Sequence, residues 1–286
     1  MKRCLIALVA VCCCLSARAY EFSDDVDTKT RTNHVVELRQ SAGANFKLGK
    51  SGSIGIAEEL REVVFDTNND PMAYFSKSYT TVEAGWKLFS VTDAYNGYKY
   101  GMKLSGGYTL RYLHQRLRDD NGNLQGAAYF LRHRPYAVLS FGANFGPVKL
   151  TLRERFLADF RADSVNVLEK PKCYMELRHR LTADFAIPGK TYKPFTSIEF
   201  ANTLNQPSCY DTAGKQLYGG QYLSAIRARV GLHWKIDRQN TLTFSYGFHW
   251  GQSREVNITK KTQQINRLYM EQTYKHVISL AYEFGM

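Results

Sequence analysis

From Tyr98 to Tyr112 the chain alternates between two kinds of residue. Tyr98, Tyr100, Met102, Leu104, Gly106, Tyr108, Leu110 and Tyr112 take every second position, with Lys99, Gly101, Lys103, Ser105, Gly107, Thr109 and Arg111 between them. The carboxyl end repeats the pattern with Tyr274, His276, Ile278, Leu280, Tyr282 and Phe284. Successive side chains of a strand point to opposite faces, so each stretch carries one apolar, aromatic face and one polar, basic face. Repeated down a chain, this alternation predicts a transmembrane antiparallel β-barrel with lipid outside and polar packing or water inside.

The same period predicts strands near 33–48, 53–65, 78–89, 98–113, 128–145, 148–161, 174–187, 194–204, 221–236, 241–256 and 265–285. The short connections are Gly49 to Gly52, Gly146-Pro147, Pro188 to Lys193 and Asp237 to Asn240; Ser90 to Gly97 is intermediate. The others are longer, at 66–77, 114–127, 162–173, 205–220 and 257–264. Short periplasmic turns and longer outer loops are usual in bacterial barrels. Eleven segments conflict with the even strand number usual in single-chain bacterial barrels. The expectation is therefore about twelve strands, with the polar stretch Tyr20 to Thr32 supplying one more or one segment wrongly split or merged.

The amino terminus changes the picture by adding an address. Lys2 and Arg3 precede an apolar run from Cys4 to Leu15, and Ala17-Arg18-Ala19 fits a small-x-small cleavage site. Residues 1–19 read as a cleaved signal peptide and 20–286 as one barrel domain. The expected location is a Gram-negative outer membrane. The run is too short for a spanning helix, which needs about 20 apolar residues. A mean hydropathy of -0.38 does not argue against a barrel, whose membrane face is hidden in alternation. Nineteen Tyr and sixteen Phe suit interfacial girdles.

Net charge is +12, and losing Lys2, Arg3 and Arg18 with the leader leaves +9. Such a balance suits anionic partners: lipopolysaccharide phosphates or small anionic solutes, in contact with outer-membrane lipid. Nucleic acid is not an expected partner of a secreted barrel. Four cysteines leave with the leader, and Cys173 and Cys209 remain in an oxidising compartment. A bridge between them, clipping two outer loops, and two separate thiols are both open.

With each strand phased so that its apolar set faces lipid, the other face presents Arg111, Glu176 and Glu199 and four i,i+2 arginine pairs: Arg132/Arg134, Arg153/Arg155, Arg178/Arg180 and Arg227/Arg229. Glu37, Arg39, Glu59, Arg61, Glu83 and Lys103 share that face. Positions i and i+2 lie roughly 6.6 Å apart, so the pairs form basic ladders. Two readings compete. The ladders line an anion-favouring, porin-like channel, or they pair with carboxylates and fill a closed structural or surface-interaction barrel acting through its outer loops. The Gly146-Pro147 turn sets a register in which Arg134 faces Asp159.

Catalytic chemistry finds little support. A three-residue turn would set His233 opposite Ser245, with no third orienting group evident, and Thr243 to Gly247 is not a nucleophile elbow. No catalytic residue, metal ligand set or cofactor is expected, and the chain reads as a non-enzyme.

Several segments resemble a known family. Arg178-His179-Arg180-Leu181 followed by Lys193-Pro194-Phe195-Thr196-Ser197-Ile198-Glu199-Phe200 is similar to its central hairpin. Arg227-Ala228-Arg229-Val230-Gly231-Leu232 with Asn240 to Tyr246, and Glu59-Leu60-Arg61, resemble further parts. The family comprises outer-membrane barrels, common in Bacteroidota, catalogued as a domain of unknown function. The resemblance implies the fold and the address but no activity. Ile278 to Phe284 resembles the signal read by the barrel-assembly machinery, although Gly285 and Met286 follow where such barrels usually end on an aromatic residue.

Overall fold

The structure, a computed structural model, describes residues 22–67, 74–118, 124–161, 172–210, 216–258 and 265–285, and only the backbone of 22–29, 115–118, 124–125, 127, 207–210, 216–220, 255–258, 265–267 and 269. The predicted signal peptide lies outside the described residues. The described chain is all strand: β1 (Phe22–Leu48), β2 (Gly52–Asp66), β3 (Tyr74–Thr92), β4 (Lys99–Arg118), β5 (Leu124–Phe145), β6 (Val148–Arg161), β7 (Cys173–Phe185), β8 (Tyr192–Tyr210), β9 (Gln216–Lys235), β10 (Asn240–Ile258) and β11 (Ile265–Gly285). Each strand pairs with its sequence neighbours, and β1 pairs with β11, so the sheet closes into a barrel.

Among the described residues the strands number eleven, where parity led the sequence reading to about twelve. From Phe22 to Thr32 the polar stretch forms no strand of its own, because β1 runs unbroken from Phe22; Tyr20 and Glu21 lie outside the described residues. In an up-and-down barrel the first and last strands run antiparallel only when the number is even. With eleven they run the same way, and β1 pairs with β11 in parallel from Phe22↔Ile265 to Asn45↔Gly285. Every other ladder is antiparallel.

The strands start and stop close to the predicted positions at the short-turn end. At the other end they run on: β4 reaches Arg118, β8 reaches Tyr210 and β9 begins at Gln216. Most of the expected loops at 114–127 and 205–220 is thus strand. The alternation fades there because the sequence no longer keeps one face apolar.

The usual placement of side chains is inverted. Ile54, Ile56 and Leu60 on β2, Phe244, Tyr246 and Phe248 on β10, and Ile278, Leu280 and Tyr282 on β11 are all exposed. Buried positions include Glu37, Arg111, Asp159, Glu176 and Glu199, and in the described set polar residues outnumber apolar ones. One apolar knot, Tyr136, Val138 and Leu157, fills part of the bore along β5 and β6.

Two local features set register. At Gly146 φ is +68°, a left-handed conformation that only glycine adopts without penalty, which lets β5 turn into β6 in two residues with Phe145↔Val148. Between β9 and β10, Asp237 Oδ1 accepts the backbone N–H groups of Gln239 and Asn240, and Oδ2 accepts Asn240 Nδ2. The Asn240 side chain first, then those two amides, hold the Asp237 carboxyl below the ordinary carboxylate range.

Two tests follow from the closure and the turn. With Cys173 and Cys209 changed to Ser, Gln40→Cys and Leu280→Cys should form an intrachain disulfide, since the two are register partners. Gln40→Cys with Tyr274→Cys should not, being offset along the seam by about 20 Å; the reverse outcome would rule out the parallel seam. A lowered pKa stabilises the ionised turn above the unfolded value and is lost as pH falls through the folded one. Amide-exchange protection of Gln239 and Asn240 should therefore hold at neutral pH and fall in acid, whereas in Asp237→Asn it should not follow a carboxylate titration.

Candidate functional site: a cationic chamber in the bore

Phasing by the outer apolar set places the basic ladders inside. A chamber of about 620 Å³ sits among them, lined by Arg39, Arg61, Lys77, Arg111, Arg134, Arg155, Arg178, Arg180, Arg227, Arg229 and Lys275 against only three carboxylates, Glu59, Glu176 and Glu199. A second cavity of about 420 Å³ shares Lys77, Arg111 and Arg134 with it and adds Arg132, Asp159, Arg161 and Arg254. This second cavity lies toward the end of the long connections. A third, of about 540 Å³, lies at the short-turn end, where Lys149, Lys193 and Lys235 help line it, and shares no residue with the chamber.

All the sequence-predicted lumen residues reach this interior. Arg111, Arg134, Arg155, Arg178, Arg180, Arg227, Arg229, Glu176 and Glu199 line the chamber, Arg132 lines the second cavity, and Arg153 pairs with Glu83 at 3.3 Å. Lys77, Tyr79, Tyr174, His249 and Lys275 also line it. Lys275 was legible as the inward residue between outward Tyr274 and His276. Lys77 fell one residue outside the predicted strand.

Three carboxylates gather most of the cations. Glu37, with no exposed side-chain surface, meets Arg39 at 2.5 Å, Lys275 at 2.9 Å and Arg61 at 3.8 Å. Asp159 meets Arg134 at 2.9 Å and also Arg111. Glu199 accepts from Arg180 Nε at 2.6 Å and also meets Arg227. Glu59 takes Arg61 at 2.5 Å, and Glu176 takes Arg178. Removing one partner of a buried pair leaves the other charge uncompensated, which usually costs a few kcal/mol.

The expected Arg134–Asp159 contact is present. Most pairs join the same strand or adjacent strands; Arg111–Asp159 skips one strand and Arg153–Glu83 skips two of the eleven.

Positive charge remains in surplus. Five carboxylates serve eight of the eleven lining cations. Lys77, Arg155 and Arg229 have no carboxylate within ion-pair distance among the described residues. The Arg155 guanidinium instead lies over the Tyr136 ring at 3.8 Å, and Tyr136 Oη donates to Glu83 at 3.0 Å. Arg61 and Arg111 cover the Tyr79 ring at 4.3 and 5.2 Å. Such cation–π contacts contribute of order 1 kcal/mol each and leave the charge in place.

The β7–β8 and β9–β10 hairpins meet around Glu199 and Phe195. Arg180 and Arg227 share Glu199, and Phe195 fits against Gly231, where a Cβ would come within 2.6 Å of its ring and 2.4 Å of the Phe244 carbonyl oxygen. Next to them His233 stacks on Phe195 at 4.4 Å between centroids. Its Nδ1 meets Thr243 Oγ1 at 2.8 Å and its Nε2 lies 3.5 Å from Asp184. The β9–β10 register lies two positions from the expected one, so His233 faces Thr243, and Ser245 faces Gly231.

Asn205 ties the outer end of β7, its Nδ2 donating to the Cys173 carbonyl at 2.6 Å and its Oδ1 accepting the Met175 N–H at 2.7 Å. Only the backbone of Cys209, the expected partner of Cys173, is described, so the expected bridge falls outside the described side chains. No three His, Cys, Asp or Glu among the described residues are grouped to hold a metal ion. No family model matches this chain, and no curated protein does.

One test probes the network itself. Glu37→Gln should lower the unfolding free energy by about 3–5 kcal/mol, as expected when a buried pair loses one partner, measured by urea titration of the folded barrel. A loss under about 1 kcal/mol, the scale of an exposed pair, would mean that Glu37 does not organise Arg39, Arg61 and Lys275.

Proposed function

We propose that this chain is an outer-membrane β-barrel whose lumen is a narrow, anion-favouring passage for small solutes. The observation that carries the reading is the charge inventory of the chamber, eleven cations against five nearby carboxylates, with Arg155 and Arg229 unmatched. Basic rings in a pore lower the barrier to anions and raise it to cations. The outward apolar and aromatic face, with Trp86 and Trp234 exposed toward the short-turn end, supports lipid as the surrounding medium. A surface of that extent would be an aggregation hazard in water. The leader-like start and the resemblance to Bacteroidota barrels support the outer-membrane address and make the assembly machinery and lipopolysaccharide its expected partners.

A second reading keeps the barrel closed and assigns the function to its outer surface. It is favoured by the Tyr136–Val138–Leu157 knot and by the separation of the short-turn cavity from the chamber. In both readings the protein is passive, and the Asp184–His233–Thr243 contacts act as ties among β7, β9 and β10.

The two readings part in a planar bilayer. Under a salt gradient the refolded protein should give small steps with an anion-selective reversal potential. Arg155→Ser with Arg229→Ser should move that potential toward zero selectivity. A correctly folded but silent barrel would overturn the passage and leave the closed one.

A further inference from the structure

We infer that the chamber is a fixed binding site for one small oxyanion carrying two or more negative charges, a phosphate- or polycarboxylate-type solute. The inference rests on the anion-favouring reading and goes beyond it, since selectivity requires a positive field but no site. Three observations point to a site.

Arginines are set directly opposite one another in register, Arg153 against Arg180 and Arg155 against Arg178 across β6 and β7. Like charges directly opposite on a sheet repel. Here the repulsion is relieved only in part, because Arg155 has no carboxylate and Glu199 divides itself between Arg180 and Arg227. A bound anion would relieve the rest.

The donors also have the right form. Guanidinium groups present planar forks that take two oxygens of a phosphate or carboxylate at once. Arg229 lies one position below this row, level with Ser197, which pairs in turn with Thr182. Two hydroxyl-bearing residues thus share the inward face beside the unmatched arginine. Finally, the Nε groups of Arg155 and Arg134 are buried and unpartnered. A buried unsatisfied donor costs roughly 1–3 kcal/mol, and an oxyanion in the chamber would supply acceptors.

Size and charge set the ligand class. A chamber of about 620 Å³ holds a solute of several carbon or phosphorus centres. A surplus of several positive charges favours a multivalent over a monovalent anion, and the surrounding apolar wall weakens screening.

The test is calorimetric titration of the refolded full-length barrel at fixed ionic strength, with pyrophosphate, citrate and acetate as probes. Saturable one-to-one binding of pyrophosphate or citrate, at least tenfold tighter than acetate, is expected. Arg155→Gln with Arg229→Gln should weaken it at least tenfold, and Lys50→Gln on the exposed β1–β2 turn should leave it unchanged. The preferred probe tells phosphate from carboxylate chemistry. Wild-type protein gives a second readout: the preferred anion should raise the thermal unfolding midpoint, and an equal ionic strength of chloride should not.

Binding that fails to saturate, or that survives the double substitution, overturns the site. Anion-selective conductance in the same preparation, without saturable binding, would remove the site and leave the passage. Absence of both would remove the passage as well.

Discussion

A sheet with an open edge leaves a row of unpaired backbone N–H and C=O groups, and closing the sheet on itself pairs them. Closure is therefore the constraint on which the rest of this structure depends. Here it is met by the parallel β1–β11 seam, continuous from Asp27↔Arg267 to Asn45↔Gly285. The parallel seam goes with an odd number of strands, strand number and shear together set the bore, and the bore decides which inward side chains meet. It also places the start of β1 and the start of β11 at the same rim. Lys275 of β11 reaches Glu37 of β1 only because those strands are neighbours.

Once the sheet is closed with its apolar set outward, the interior must accept what remains, and that is mostly arginine. Glu37, Asp159 and Glu199 each draw in two or more cations, which concentrates compensation at three points and leaves gaps between them. Arg155 rests on an aromatic ring instead. Arg229 lies beside small and hydroxylated residues. These gaps give the proposed passage and its proposed site a common physical origin, a wall more positive than its own carboxylates can balance.

Much of this was legible in the alternation. A period of two places each strand and assigns each residue to a face, so the inward ladders and their partners Glu176 and Glu199 are legible in the sequence. The two-residue turn at Gly146-Pro147 even gave the Arg134–Asp159 pair. Parity was misleading, because an even count is a habit of bacterial barrels and a closed sheet does not require it. The last five or six residues at the long-connection ends of β4, β8 and β9 were hidden where the alternation fades. The register of β10 depended on a four-residue connection held by Asp237, so Thr243 rather than Ser245 meets His233. Contacts that skip strands, such as Arg153 with Glu83 and Arg111 with Asp159, depend on the curvature of the closed wall, which no local pattern encodes.

The central claim is that this sheet is built inside out, with an apolar exterior and a charged, water-accessible interior. It is tested most directly by spin-label accessibility at two neighbouring positions of β10, outward Phe244→Cys and inward Ser245→Cys, in the Cys173→Ser, Cys209→Ser background and in lipid vesicles. The account predicts that the label at 244 collides with oxygen and is shielded from a water-soluble nickel chelate, and that the label at 245 shows the opposite preference. Equal accessibility at both positions, or the reverse order, would contradict it.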